Sequence, residues 1–253
     1  MKLRKLRRDR AFRRGPELFL FERAFADCLD RIGLIHRRYR SALLIGCPSP
    51  DWVERLGELA DRVAVLDPGP SFAQAAGGGE TIEDELTAEP GAYDLCVAVG
   101  TLDTVNDLPQ ALARIRLTLG PDAFFLGAMA GGETLPQLRA AMRAADAVRG
   151  EAVPHVHPRI EPGALATLLT AAGLTMPVVD VDRVRVSFET LARLVEDLRS
   201  MGSTNILSQR SRRPLSRAEW HAATEAFASA RQGDRTTETF EILHFAAWTA
   251  PER

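Results

Sequence analysis

Three short segments carry residue types suited to holding a nucleoside ligand, and each comes directly after an apolar run. They are Gly46, Cys47 and Pro48 after the first run, Asp67 and Pro68 after the second, and Gly100 and Thr101 after the third. A glycine lets a ligand approach the backbone closely. A carboxylate in the position of Asp67 can accept hydrogen bonds from both hydroxyls of a ribose, although a turn or capping role is the alternative.

The apolar runs alternate with helical patterns, which predicts βαβ units and a parallel sheet covered on both faces. Strands are predicted over 41–46, 62–70, 92–102 and 123–129, and helices over 17–33, 51–61, 107–120 and 134–150, with Gly120 closing the third of these helices. In such a sheet ligands bind beyond the carboxyl ends of the strands, where the three segments meet. The Gly-rich, acidic segment 73–85 is predicted to be a surface loop.

After residue 150 the pattern changes. A Pro-punctuated loop over 151–162 precedes a predicted helix, a half-exposed strand, two further helices and a long final strand; these cover 163–174, 177–188, 188–202, 216–232 and 237–250. We expect a basic arm over 1–15 and a single domain over 16–253. Its core would comprise about 34–150, 175–187 and 236–250, with a cap over about 188–235.

Composition is typical of a globular protein, with 45% hydrophobic and 26% charged residues among 253. No run reaches the roughly 18 consecutive apolar residues that a membrane-spanning helix needs. The three cysteines are widely spaced and form no CxxC pair, which predicts reduced thiols and a cytoplasmic location and argues against a disulfide framework or a zinc site.

The first 14 residues hold eight Lys or Arg and one Asp, while the rest of the chain is acidic. Two interpretations stay open for this segment. It is either a solvated tail or an arm that docks on an acidic partner, a membrane surface or nucleic acid.

Longer segments resemble one protein family. The segments that carry this resemblance are residues 93–135, "DRVRVSFETLARLVEDLRSMGSTN" (182–205) and "FEILHFAAW" (240–248). Within the first, the most specific parts are "VNDLPQAL" (105–112), "LGPDAFFLGAM" (119–129) and "AGGETL" (130–135). They resemble the class I S-adenosylmethionine-dependent methyltransferases, in the branch of the respiratory complex I assembly factor, which is similar to the malonyl-carrier methyltransferase of biotin synthesis. The resemblance covers the chain from about residue 7 onward.

The resemblance implies a Rossmann-like α/β fold: a seven-stranded, mostly parallel sheet with an antiparallel last strand, a helical cap and an N-terminal helix. It implies S-adenosylmethionine as cofactor and a protein, complex I subunit, small-molecule or carrier-bound substrate. Most relatives transfer a methyl group, whereas the assembly factor is thought to hydroxylate an arginine. The implied cofactor contacts are Gly46, Cys47, Pro48, Asp67, Pro68, Gly100 and Thr101, with Glu83 or Asp84 facing the adenine. No catalytic residue and no metal ligand is implied.

The chain departs from the family at its first loop. Where the family has an acidic residue and three glycines, this sequence has Leu44, Gly46, Pro48 and Pro50. Each proline removes a backbone donor and fixes φ near −65°, so we expect weakened cofactor binding. The family's histidine–tryptophan pair after the fourth strand is Asp103 and Thr104.

Other residues with chemical potential favour structural roles. His155 and His157 have no third ligand nearby, so a loop over the cleft is favoured over a metal site. Cys47 fits a buried small side chain better than a reactive thiol. The Arg-rich segment 208–217 is an exposed loop or a contact for an acidic partner, and Asn205 and Trp220 lie where a cap could close over substrate.

Two functions are therefore compared. The first is a methyltransferase that uses S-adenosylmethionine, and the second is an assembly or binding protein that kept the fold and lost the cofactor. Nucleic-acid modification is a weaker third, because no stripe of aromatic and basic residues is evident.

Overall fold

A computed structural model describes residues 2–252. Nine helices occur in this part of the chain: α1 (Lys2–Arg14), α2 (Phe19–Leu34), α3 (Asp51–Gly57), α4 (Pro70–Ala75), α5 (Leu108–Thr118), α6 (Pro136–Arg149), α7 (Pro162–Ala171), α8 (Leu191–Ser200) and α9 (Arg217–Ala228). The strands are β1 (Ala42–Ile45), β2 (Val63–Asp67), β3 (Gly79–Glu80), β4 (Tyr93–Val99), β5 (Leu119–Ala130), β6 (Thr175–Phe188), β7 (Arg231–Gln232) and β8 (Arg235–Trp248).

Seven strands form a single sheet in the order β3-β2-β1-β4-β5-β8-β6, and the two-residue β7 pairs with β8. Strand β1 lies between β2 and β4 and runs parallel to both. Strand β8 runs antiparallel to β5 and to β6. The predicted fold class is confirmed, and the carboxyl ends of β1, β2 and β4 meet at one edge of the sheet.

The central strands are apolar throughout because both faces of the sheet are covered. On one face Leu44, Val97 and Leu126 pack under helices α2 and α3. There the rings of Phe25 and Trp52 stack with their centroids 4.1 Å apart. The other face packs against α5 and α7, so β1 and β4 are covered on both faces.

A separate apolar cluster joins α6, α8 and α9 to the N-terminal half of β8, which contributes Phe240. Its members include Leu138, Leu194, Phe227 and Phe240. This cluster forms a helical cap beside the carboxyl edge of the sheet. No helix among residues 2–252 has the length and apolar character to cross a membrane.

Three local expectations differ from the structure. Residues 2–14 form a helix packed on the domain. Helix α5 ends at Thr118, and Gly120 lies inside β5, in the irregular start of that strand where its pairing with β4 shifts from Leu119 to Phe124. The segment 73–85 contains the end of α4, strand β3 and a 3₁₀ turn (Glu83–Glu85) with Glu83 fully buried.

Candidate functional site: a cofactor cleft filled by helix α1

The loop after β1 is closed onto the sheet. Gly46 has φ +82°, and a Cβ at this position would overlap the carbonyl oxygen of Val99, so only glycine fits. The Cys47 N–H donates to Asp67 Oδ2 at 2.8 Å, and the Cys47 thiol lies 3.1 Å from the Ser49 carbonyl oxygen. Burial raises the pKa of Cys47 to about 12, so this thiol is a buried, protonated group. Because proline has no N–H, Pro48 offers a ligand no donor.

Asp67 lies at the end of β2 and is completely buried. Its carboxylate accepts from the backbone N–H groups of Cys47 and Gly69 at 2.8 and 2.6 Å. It also accepts from Arg8, whose Nε and Nη2 lie 2.8 and 2.6 Å from the two oxygens. A carboxylate has about four lone-pair sites, so these four donors leave none for a ribose hydroxyl.

Burial alone would lower the pKa of Arg8, but the Asp67 carboxylate outweighs that effect and raises it above its usual value. The Arg8 guanidinium is therefore charged. The guanidinium also stacks on the ring of Phe72, 5.1 Å from its centroid.

Glu83 is held in the same way. It is completely buried, and Arg4 binds it in a bidentate manner, with Nη1 and Nη2 2.6 and 2.9 Å from the two carboxylate oxygens. Arg4 Nη2 also donates to the carbonyl oxygen of Thr101 at 2.5 Å. One guanidinium thus joins the Glu83 carboxylate to the loop after β4.

The side chains of Asp84 and Thr101 receive no hydrogen bond from α1. Asp84 accepts from the Asp107 N–H at 3.3 Å through Oδ2. Its Oδ1 and the Thr101 hydroxyl are buried without a hydrogen-bond partner among residues 2–252.

Gly100 lies beneath an aromatic ring. It has φ +66°, and a Cβ there would overlap the ring of Phe21. Phe21 belongs to α2, so that helix covers the wall on which a purine would rest.

The structure brings predicted cofactor contacts together at this edge of the sheet: Cys47, Asp67, Glu83 and Thr101 are joined by hydrogen bonds to one another or to Arg4 and Arg8. The other predicted contacts are their neighbours in sequence, namely Gly46, Pro48, Pro68, Asp84 and Gly100. Their role as cofactor contacts stays a prediction. In this conformation the residues do not fit S-adenosylmethionine, because Arg4 and Arg8 take the carboxylates and Phe21 covers Gly100.

The residues that sequence reasoning missed are Arg4 and Arg8. The signal was present as spacing: Arg4, Arg8 and Ala11 are separated by four and three residues, lie on one face of a helix, and are all buried. The excess of Lys and Arg in the first 14 residues suggested an external acidic partner. The structure shows instead that Arg4 and Arg8 bind carboxylates of the same chain.

A second cleft remains open beside Gly100, with an empty volume of about 640 Å³ including its mouth. Its walls are mainly apolar and come from α2, β5, α8 and β8; they include Leu20, Met129, Leu135, Leu198, Met201, Phe240 and Ile242. An ion pair between Asp103 and Arg159 lies on its border, with side chains 11% and 6% exposed. Asp103 Oδ1 and Arg159 Nε have no hydrogen-bond partner in the described chain, so the cleft combines apolar walls with a polar point of attachment.

The cap residues line a neighbouring cavity. His155 Nε2 lies 2.8 Å from Asp146 Oδ1, and Asn205 Nδ2 donates to the Pro154 carbonyl oxygen at 2.7 Å. Trp220 also borders this cavity and is 37% exposed.

His157 is buried, and its Nε2 accepts from the Ile206 N–H at 3.2 Å. Burial, and then the nearby Arg159, lower its pKa below the usual value. Across residues 2–252 no group of three or more metal-ligating side chains is placed to hold an ion.

Comparison with known proteins defines the relationship. The mitochondrial arginine hydroxylase NDUFAF5 of Danio rerio is 30% identical over 242 residues, covering 91% of this chain and 75% of that protein. A malonyl-[acyl-carrier protein] O-methyltransferase of Laribacter hongkongensis is 26% identical over 170 residues, which is 67% of this chain and 56% of that enzyme. The expected resemblance to both branches is confirmed. No family model matches the chain.

The fold has counterparts among solved structures. The crystal structure of the YcgJ protein from Bacillus subtilis aligns with a TM-score of 0.58 and covers 87% of this chain and 98% of its own, at 10% identity. At this identity the likeness concerns the fold alone.

Proposed function

The chain belongs to the family of the arginine hydroxylase NDUFAF5 and has a class I methyltransferase fold, and we propose that it acts as a binding protein in respiratory complex I biogenesis. In this proposal it holds a protein or carrier-bound substrate and works without S-adenosylmethionine, because helix α1 takes the place of the cofactor. The role in complex I biogenesis rests on the family resemblance.

A single observation carries the cofactor-free part of the proposal. Arg8 neutralises Asp67, which the family resemblance assigns to the ribose, and Arg4 neutralises Glu83, which together with Asp84 is one of the two residues it offers for the adenine. Breaking a buried ion pair by removing one partner typically costs about 3–5 kcal/mol. A cofactor that displaced α1 would have to compensate for two such pairs with the few donors of a loop that contains Pro48 and Pro50.

The open cleft beside Gly100 supports a role in binding. Its apolar walls suit a hydrophobic side chain or acyl group, and the Asp103–Arg159 pair offers both an acceptor and a donor atom that lack partners. A substrate could enter this cleft while α1 stays in place, because Arg4 and Arg8 are not part of its walls.

A methyltransferase that uses S-adenosylmethionine is the second candidate. The observation that favours it is the pair of buried polar atoms without partners, Asp84 Oδ1 and Thr101 Oγ1, in the cofactor cleft. Buried polar atoms normally have a partner, and a bound nucleoside would supply one. This function requires α1 to leave the cleft.

Isothermal titration with S-adenosylmethionine and S-adenosylhomocysteine separates the two candidates. The proposal predicts that the dissociation constant of the unaltered protein for either compound is about 1 mM or higher. The binding free energy is then no more favourable than about −4 kcal/mol. Micromolar binding that weakens at least tenfold in Asp67→Ala would overturn it and establish the second candidate.

The variant Arg4→Ala/Arg8→Ala completes the design. If it gains micromolar affinity while the unaltered protein shows none, α1 is what closes the cofactor site, as the proposal states. If it remains unable to bind, the altered loop with Pro48 and Pro50 excludes the cofactor even without the two arginines, and α1 is not the cause.

The proposal also places the protein in the cytoplasm, in keeping with its three free, buried cysteines. Cell fractionation followed by immunodetection tests this location.

A further inference from the structure

Helix α1 has a second row of arginines that the cofactor cleft does not use. Arg4 and Arg8 point into the domain, whereas Arg7, Arg10 and Arg14 follow each other at spacings of three and four and occupy a neighbouring face. Arg10 and Arg14 are exposed and Arg7 is partly buried. The helix therefore shows one arginine row to the chain's own carboxylates and another to its surroundings.

Two more arginines join this second row from other elements. Helix α1 packs on the end of α8: a Cβ at Gly202 would lie 3.5 Å from the Cα of Arg8. In the segment that follows α1, the Glu17 N–H donates to the Ser200 carbonyl oxygen at 3.2 Å. Arg199 stands in the last turn of α8, and Arg210 follows in the cap loop, where its Nη1 donates to the Leu207 carbonyl oxygen at 2.9 Å. We refer to Arg7, Arg10, Arg199 and Arg210 as the arginine patch.

The charges of the arginine patch are unpaired in the part of the chain that the structure describes. Within residues 2–252 none of its four members forms an ion pair with a carboxylate, and Arg7 Nε is buried without a hydrogen-bond partner. Burial, followed by repulsion from Arg10, Arg210 and Arg199, lowers the pKa of Arg7. These four positive charges come from α1, α8 and the cap loop, and their mutual repulsion destabilises the free protein. Binding of an anion reduces this repulsion.

The arginine patch adjoins the cavity lined by His155, Asn205 and Trp220, which we call the cap cavity. Arg199 also lines that cavity, together with Leu198, Asn205 and Trp220. A partner seated on the patch would therefore lie at the entrance of a cavity large enough to take one of its side chains.

We propose that the arginine patch is the docking surface for an acidic segment of a protein partner. By binding there, the acidic segment holds the partner at the entrance of the cap cavity. The inference rests on the proposed binding function and names the chemistry of the partner. A protein segment fits better than nucleic acid, because the patch stands at the entrance of a cavity whose walls are mainly apolar, which suits a side chain next to the acidic residues of a peptide.

The test uses a short fluorescein-labelled poly-L-glutamate peptide, with binding followed by fluorescence anisotropy at low and physiological ionic strength. The variant Arg10→Glu/Arg199→Glu reverses two exposed patch charges. The control Arg62→Glu/Arg114→Glu makes the same change in net charge at two exposed arginines that form no ion pair within residues 2–252. We expect the dissociation constant to rise at least about tenfold in the patch variant and less than about twofold in the control.

Equal weakening in both variants would overturn the proposal, because it would show attraction to net charge alone. So would binding of oligouridylate, or of vesicles containing phosphatidylserine, that exceeds peptide binding and depends on the patch. If the charge reversals prevent folding, Arg10→Gln/Arg199→Gln removes the charges without repulsion, and the same tenfold criterion is applied. The titration with S-adenosylmethionine does not use the patch, so failure of the cofactor-free function and failure of this docking surface are seen in different experiments.

Discussion

The ion pair between Arg8 and Asp67 is predicted to be one of the strongest single contributions to the stability of this protein. Both side chains are at least nine-tenths buried, with exposures of 9% and 0%. Replacing Arg8 by alanine leaves the carboxylate with two backbone donors instead of four. Removal of one partner from a buried pair costs about 3–5 kcal/mol, so the two remaining hydrogen bonds place the expected loss near 3 kcal/mol. A domain of ordinary stability has about 5–15 kcal/mol in total.

A double-mutant cycle measures the interaction itself. Arg8→Ala, Asp67→Ala and the double variant are unfolded in urea at pH 7 and followed by tryptophan fluorescence. We expect a coupling free energy of at least about 2 kcal/mol, since the double variant leaves neither charge buried without its partner. If the alanine variants do not fold, Arg8→Lys keeps the charge, loses the bidentate geometry, and should show a smaller loss.

The matched control is the exposed pair of Arg38 and Asp61, whose side chains are 60% and 56% exposed. Exposed pairs contribute about 0–1 kcal/mol, so the same cycle there should give a coupling below about 1 kcal/mol. If the coupling between Arg8 and Asp67 is no larger than in this control, helix α1 does not occupy the cleft in solution and the reasoning fails.

Three further predictions follow from buried groups. Burial lowers the pKa of His157, so below about pH 6.5 the unfolded chain binds more protons at this residue than the folded chain does. His157 should therefore make the unfolding free energy fall as the pH decreases, by at most about 1.4 kcal/mol per pH unit. His157→Gln should flatten urea midpoints between about pH 5 and 6.5, and an unchanged slope would contradict the assignment. Gly46→Ala should lower the unfolding free energy by at least about 2 kcal/mol, through its positive φ and an overlap with a strand carbonyl, and a neutral result in urea would show that the loop is built differently. Burial raises the pKa of Cys28 and Cys47 to about 12 and that of Cys96 still higher, so Ellman's reagent should label none of the three thiols in the native protein at pH 8 and all three in urea; fast labelling of the native protein would be inconsistent with the closed loop.

The sheet could be predicted from the sequence because its signals are local. Runs such as 42–45 and 95–99 are apolar at every position, as strands covered on both faces must be, and Asp67 marks the end of β2. The boundary at Gly120 was wrong because a glycine that resembles a helix stop lies inside a strand.

The packing of α1 on Asp67 and Glu83 could not be predicted in the same way. Arg8 and Asp67 are 59 residues apart, and Arg4 and Glu83 are 79 residues apart, so their pairing depends on how α1 packs in the tertiary structure. Composition showed a basic segment, but only the three-dimensional arrangement shows which of its arginines are used within the chain and which remain for a partner.

The most direct test of the cofactor-free site is a crystal structure of the full chain grown with millimolar S-adenosylhomocysteine. The account predicts α1 in the cleft, with the Arg8 and Arg4 guanidinium groups on Asp67 and Glu83 and no nucleoside bound. A nucleoside with its ribose on Asp67, and α1 displaced from the cleft, would contradict it.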